Sequence, residues 1–196
     1  MKAAFLAVLT LFVTTASAFE CDPELVIPEN LFPTVKFETT MGEIVVELNR
    51  MRAPVSANNF LRYALAGHYD GTIFHRIMAD FVVQGGGYDK EFNEIPLLDP
   101  IMNESGNGLK NNAWTIAFAR FDDPHSATSQ FFFNVADNNK ALDPGARHWG
   151  YAVFGDVVSG REILEAMSLV ETGYDASVDF QDVPVVPITL IKVTVE

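Results

Sequence analysis

The sequence predicts a mainly β fold, a closed antiparallel barrel capped by two α-helices. Three observations carry this: several short segments alternate apolar and polar residues, two longer ones carry helical spacing, and Gly, Asn and Pro separate them. A length of 196 residues suits one domain, and neither a repeat nor a linker divides the chain.

Residues 1–18 read as a secretion signal. Lys2 gives a short positive start, 3–15 form an uncharged apolar run, and Ala16-Ser17-Ala18 supplies the small-x-small cleavage pattern. The run is too short to span a bilayer, so the expected mature chain starts at Phe19 and does not insert in a membrane. Cys21 is the only cysteine, which excludes an intramolecular disulfide and leaves a free thiol in a tail. Residues 19–34 carry Pro23, Pro28 and Pro33 and read as an extended leader into a domain over 35–196.

Within that domain, Val35, Phe37 and Thr39 alternate with Lys36, Glu38 and Thr40, and 43–48 alternate again after Met41-Gly42, which predicts a β-hairpin. Pro54 opens a helix over 54–66 that Gly67 ends. Residues 73–84 read as two short strands around Ala79-Asp80, followed by the break Gly85-Gly86-Gly87. Strands are expected at 114–120 and 129–135, with a Gly/Asn-rich loop at 103–112 before them and an irregular connection at 137–150 after. A strand at 151–158, an amphipathic helix at 160–169 and a closing strand at 188–195 complete the domain.

Composition narrows the function. Apolar residues make up 48% and charged residues 20%, enough apolar surface for a packed core, and 16 Phe point to a core built from rings. A formal net charge of −13 without a basic stripe disfavours nucleic acid and anionic lipid as partners. His68, His75, His125 and His148 lack metal-ligand spacing, so no metal is expected, and His75 reads as a structural strand residue. Gly85-Gly86-Gly87 has no Lys-Ser/Thr after it and reads as backbone room rather than a phosphate loop. Ser126, Ser129 and His125 lie outside any nucleophile-elbow pattern. Nothing calls for an organic cofactor.

Three segments, in this order, go further: Phe74-His75-Arg76-Ile77-Met78-Ala79-Asp80-Phe81-Val82-Val83-Gln84-Gly85-Gly86, then Ser129-Gln130-Phe131-Phe132, then Leu142-Asp143 with Tyr151-Ala152-Val153-Phe154-Gly155. Together they resemble the cyclophilin signature, and the resemblance covers about 35–195. Asp123-Pro124-His125-Ser126-Ala127-Thr128-Ser129-Gln130, Tyr151 and the signal sequence resemble the secreted bacterial branch. The resemblance implies an eight-stranded antiparallel barrel with two capping helices, peptidyl-prolyl cis/trans isomerase activity on exported proteins, a periplasmic or secreted location and a monomer. A binding or chaperone module using the same groove without turnover is the alternative, and an intact Arg76 favours the enzyme.

The chemistry suits such residues. Amide resonance sets a barrier of ~18–20 kcal/mol to Xaa-Pro rotation. In the twisted transition state the proline nitrogen regains its lone pair, so a donor near it and an apolar pocket for the ring lower the barrier. Arg76, always charged and rich in N–H groups, is the candidate donor. By resemblance Phe81, Val82, Phe132 and Leu142 line the proline pocket, and Ala119 meets the substrate backbone. Gln84 and Gln130 orient Arg76 and bind substrate, and Tyr151 stands where many relatives have His. Val82 replaces a common Met, which alters the pocket's shape. Ala141 falls near a Trp that recognises cyclosporin, so weak cyclosporin binding is expected. Arg120-Phe121 replaces an Asn-Ala pair and bears on substrate preference.

Overall fold

The computed structural model describes residues 29–196. The expected signal sequence, Cys21 and most of the expected leader lie outside the described residues. The leader's last residues are tied to the domain: Arg50 Nη1 donates to the Asn30 carbonyl at 2.7 Å, and the Leu48 amide donates to the Pro33 carbonyl at 2.9 Å.

The chain runs β1 (Thr34–Thr39), β2 (Gly42–Leu48), α1 (Pro54–Leu65), β3 (Thr72–Ile73), β4 (Arg76–Met78), β5 (Val82–Gly85), β6 (Thr115–Phe118), β7 (Phe131–Asn134) and α2 (Asn139–Leu142). It continues through β8 (Val153–Ser159), α3 (Arg161–Ser168), β9 (Thr172–Asp175), β10 (Phe180–Pro184) and β11 (Thr189–Val195). Nine segments form one curled antiparallel sheet in the order β3-β11-β1-β2-β8-β6-β7-β5-β4. Its two end segments, β3 and β4, are separated only by Phe74 and His75, so the ends of the order meet along the chain. Counted as one strand that changes partner from β11 to β5 at those two residues, they give the expected eight.

The period of two sorts the side chains. Val35 and Phe37 of β1, Ile44, Val46 and Leu48 of β2, Ile116 and Phe118 of β6, and Phe131 and Phe133 of β7 turn into the barrel and are essentially inaccessible. The Phe-rich composition becomes a ring core. Phe131 lies 5.6 Å from Phe37, 5.7 Å from Phe60 and 5.4 Å from Tyr69 between ring centroids, mostly edge to face. Helix α1 closes one side with Ala57, Phe60 and Leu61, and α3 contributes Leu164 and Met167.

Helix α1 has no side-chain cap at Ala53. Glu104 supplies it from the 103–112 loop instead: its carboxylate accepts from the Val55 amide at 3.0 Å, and from the Ser56 amide and hydroxyl at 2.7 Å each. This satisfies otherwise unpaired first-turn donors with a charge of the favourable sign. The backbone-room reading of Gly85-Gly86-Gly87 fits the geometry. Gly86 has φ +80°, and a Cβ there would lie 2.7 Å from Phe131 Cε1.

Several expectations change. The chain has a third α-helix among the described residues, the single turn α2, inside the segment expected to be irregular. A second sheet, the β9–β10 hairpin, lies between α3 and β11 and packs against β4. Its residues are Asp-rich, and Asp179 and Asp182 both adopt positive φ, so no clean alternation marks it as strand. The expected strand at 151–158 starts at Val153, because the Tyr151 amide instead donates to the Leu142 carbonyl at 2.9 Å.

Candidate active site

The site lies on the outer face of the sheet, built by register. In β5, Val83 turns inward, so Val82 and Gln84 turn outward. In β7, Phe132 turns outward between Phe131 and Phe133. Pairing sets Arg76 opposite Gln84, Gln84 opposite Phe132, and Phe132 opposite Ala117, a row across β4, β5, β7 and β6. A slip of one residue would turn this row into the core, so the buried face that stabilises the barrel also fixes the site.

Arg76, Gln84, Phe81, Val82, Ala119, Phe132, Leu142 and Tyr151 line one cavity of about 270 Å³, together with Arg120. Its apolar floor is a small cluster of Val82, Ala117, Phe132, Leu142 and Val153, distinct from the barrel core. Tyr151 meets Phe132 edge to face, with ring centroids 5.7 Å apart. Gln130 lies outside this cavity. It lines a neighbouring one of about 350 Å³, which shares Gln84, Ala119 and Arg120 as a wall.

The guanidinium of Arg76 is held on several sides. Nη1 donates to Gln84 Oε1 at 3.4 Å, Nη2 to Met78 Sδ at 2.7 Å, and Nε lies 3.7 Å from Asp182 Oδ2. Gln84 Nε2 in turn donates to Gln130 Oε1 at 3.0 Å. Gln84 therefore contacts Arg76 directly, whereas Gln130 reaches it through Gln84.

Three features of the site lie outside the motifs. In the sequence Arg120 stands out only by its departure from the Asn-Ala pair. Its Nε donates to the Gly150 carbonyl at 3.0 Å, and its guanidinium carbon sits 4.7 Å above the Tyr151 ring, so it forms the partition between the two cavities. Asp182 belongs to the hairpin without a strand pattern. The third feature is a buried Asn network. Asn134 Nδ2 donates to Asn111 Oδ1 at 3.1 Å, and Asn138 Nδ2 to Asn134 Oδ1 at 2.8 Å. Asn111 Nδ2 donates to Asp143 Oδ1 at 3.0 Å and to the Tyr151 carbonyl at 3.3 Å. Burial pushes the Asp143 carboxyl pKa up, but the bonds from Asn111 and Lys110 outweigh it and hold it below its ordinary value. An Asn closing the otherwise apolar Phe131-Phe132-Phe133 run was the available signal, since Asn is depleted in strands.

Among the described residues no cluster of three or more His, Cys, Asp or Glu side chains is placed to hold a metal ion. His75 is buried against Tyr88, with ring centroids 4.9 Å apart. Burial first, then the Arg76 charge, lower its pKa to about 4 despite bonds with Ile73 and Gln130 that raise it. Burial lowers His68 to about 4 as well.

These shifts set an acid-stability prediction. The folded pKa values lie below the unfolded value, so the unfolded chain takes up protons first as pH falls. Stability is therefore lost between about pH 6.5 and 4, with His75 contributing roughly 2–3 kcal/mol. Asp156 opposes it, because burial and then the Glu47 charge raise its pKa and add stability as it protonates. Thermal melts at pH 7 and 4.5 should show a lower Tm at the acid end, with a shallower slope in His75→Gln. A flat profile in the wild type would overturn the assignment.

Comparison with known proteins decides the family. The model described as "Cyclophilin type peptidyl-prolyl cis-trans isomerase/CLD" matches residues 34–195. The chain belongs to the cyclophilin family. This cyclophilin is 48% identical over 161 residues to a peptidyl-prolyl cis-trans isomerase of Streptomyces antibioticus, covering 80% of the chain and 95% of the relative. Against peptidyl-prolyl cis-trans isomerase B of Escherichia coli K12 it is 42% identical over 163 residues, covering 82% and 98%. Its fold is also similar to a solved cyclophilin of Cryptosporidium parvum, with a TM-score of 0.68 at 22% identity over 84% of this chain and 98% of that one. The cyclophilin described here is a peptidyl-prolyl cis-trans isomerase (EC 5.2.1.8).

Proposed function

We propose that this isomerase accelerates Xaa-Pro rotation in exported proteins, with Arg76 as the donor to the proline nitrogen. The observation that carries the site assignment is the shared cavity, which places one fixed guanidinium beside an apolar floor. The floor takes the proline ring, and Arg76 meets the nitrogen as it becomes pyramidal. A charge-assisted bond formed only in that state contributes roughly 1.5–3 kcal/mol. Gln84 orients Arg76, and Gln130 orients Gln84. Ala119 borders the substrate backbone, and the Tyr151 hydroxyl serves the substrate carbonyl. A cyclophilin of Cryptosporidium parvum, TM-score 0.67 to this chain, was solved in the presence of the dipeptide Ala-Pro.

The exported location rests on Lys2, the apolar run at 3–15 and Ala16-Ser17-Ala18. The proposal includes a monomer acting in the periplasm or beyond it, and weak cyclosporin binding because Ala141 stands near where relatives carry a cyclosporin-recognising Trp. Expression in a Gram-negative host, followed by fractionation and N-terminal sequencing, tests the first part. A mature chain beginning at Phe19 in the periplasmic or medium fraction, which shortens the slow proline-limited refolding phase of an exported protein, supports it. An unprocessed chain confined to the cytoplasm would refute the exported role and leave the isomerase reading intact.

A further inference from the structure

The β9–β10 hairpin brings an acidic side chain to Arg76. Asp182 Oδ2 lies 3.7 Å from Arg76 Nε, and each side chain is 37% exposed. Asp182 has φ +59°, a left-handed conformation uncommon for a residue with a Cβ. It sits where the register between β10 and β9 shifts, between Phe180 and Val183. Both flanks of this bulge are anchored. On one side the Phe180 ring packs 5.3 Å from Tyr88 and 5.8 Å from Phe92. On the other, Val183 and Pro184 pair with Gly173 and Thr172. Left-handed backbone at a non-Gly residue costs free energy and persists where the surroundings over-determine it; bulges commonly re-aim a side chain.

We propose that Asp182 is a positioning residue for the isomerase reaction. It fixes Arg76 by Nε, so that the Nη groups stay beside the proline cavity. The inference rests on Arg76 being the donor. A half-exposed Arg otherwise samples many rotamers, each a loss of population in the productive one. Gln84 and Met78 each engage one N–H, on Nη1 and Nη2, and each Nη carries a second for a ligand in the cavity that Arg76 lines. Asp182 holds the remaining edge. So exposed an ion pair adds little to stability, and its consequence is orientation.

The test is a double-mutant cycle between Asp182→Asn and Arg76→Ala, read as kcat/KM on a short Ala-Pro peptide at low salt. Asn removes the charge yet tolerates left-handed backbone. Asp182→Asn is expected to lower kcat/KM about 2- to 5-fold with Tm nearly unchanged, and to add no loss in the Arg76→Ala background. Raising the salt should narrow the gap between wild type and Asp182→Asn as the pair is screened. Wild-type kcat/KM in Asp182→Asn overturns the inference. So does an equal loss in the Arg76→Ala background, which would mean that the hairpin acts by packing. If Asp182→Asn lowers Tm, Asp182→Gly repeats the cycle with a residue free to adopt the same φ, and the same outcomes decide. Full activity in Arg76→Ala itself would instead remove the donor role on which Asp182 depends, and the two failures are thereby separate.

Discussion

Arg76→Ala is expected to lower kcat/KM on an Ala-Pro peptide roughly 10- to 150-fold, the rate equivalent of one charge-assisted hydrogen bond made in the twisted state. The fold should survive. Arg76 is half-exposed, on the outer face of a three-residue strand, and its ion pair with Asp182 contributes at most about 1 kcal/mol. The loss should not be complete, because the apolar floor of Val82, Phe132 and Leu142 still holds the ring and excludes water. Arg76→Lys keeps the charge and loses the planar fork, so it should recover only part of the rate. A protease-coupled isomerisation assay, with circular dichroism on each variant, makes the comparison. Turnover unaffected by Arg76→Ala in a folded protein would keep the isomerase and discard this account of its donor.

How much of this was legible beforehand depended on periodicity. The first hairpin, the helix opened by Pro54 and the strands around Arg76, Gln84 and Phe132 carry clear alternation or helical spacing, because one face of each packs on the ring core. The site residues inherited that legibility, since they are the outward partners of inward core residues. Positions 137–150 and 172–184 were not legible. There, order comes from side-chain hydrogen bonds and left-handed turns that leave no periodic trace, as at Asn138, Asp143 and Asp182. Gln130 shows the limit of motif reasoning. Its motif groups it with Arg76, and the structure puts its side chain in the adjoining cavity, where it accepts a hydrogen bond from Gln84. The strand count shows another: whether β3 and β4 are one strand or two depends on a change of partner at Phe74 and His75, which local pattern does not encode.

The same buried polar network should yield the largest loss of stability from a single polar side chain. Asn111 is fully buried and makes three side-chain contacts, to Asp143, the Tyr151 carbonyl and Asn134. Asn111→Ala removes all three and leaves Asp143 with the 111 backbone amide at 2.9 Å and Lys110 at 3.3 Å. Breaking a satisfied buried network around a carboxylate costs about 2–4 kcal/mol, a Tm fall of roughly 5–15 °C for a domain of this size. Activity should fall too, for a different reason. Asp143 and the Tyr151 carbonyl pin the two ends of the 143–150 loop, and Leu142 and Tyr151 at those ends line the cavity. Loosening them weakens ring binding before it touches Arg76, so KM should rise with kcat nearly kept, whereas Arg76→Ala removes a bond made only in the twisted state and should lower kcat. The acid response separates the two further. Asp143 has its pKa held low in the fold, so it stabilises above its unfolded value and loses that contribution as pH falls through the folded one. Without the Asn111 side chain that contribution shrinks, and the gap in Tm between variant and wild type should narrow below pH 4. An unchanged Tm at pH 7 would show that the network is dispensable, and the loop would then need another anchor.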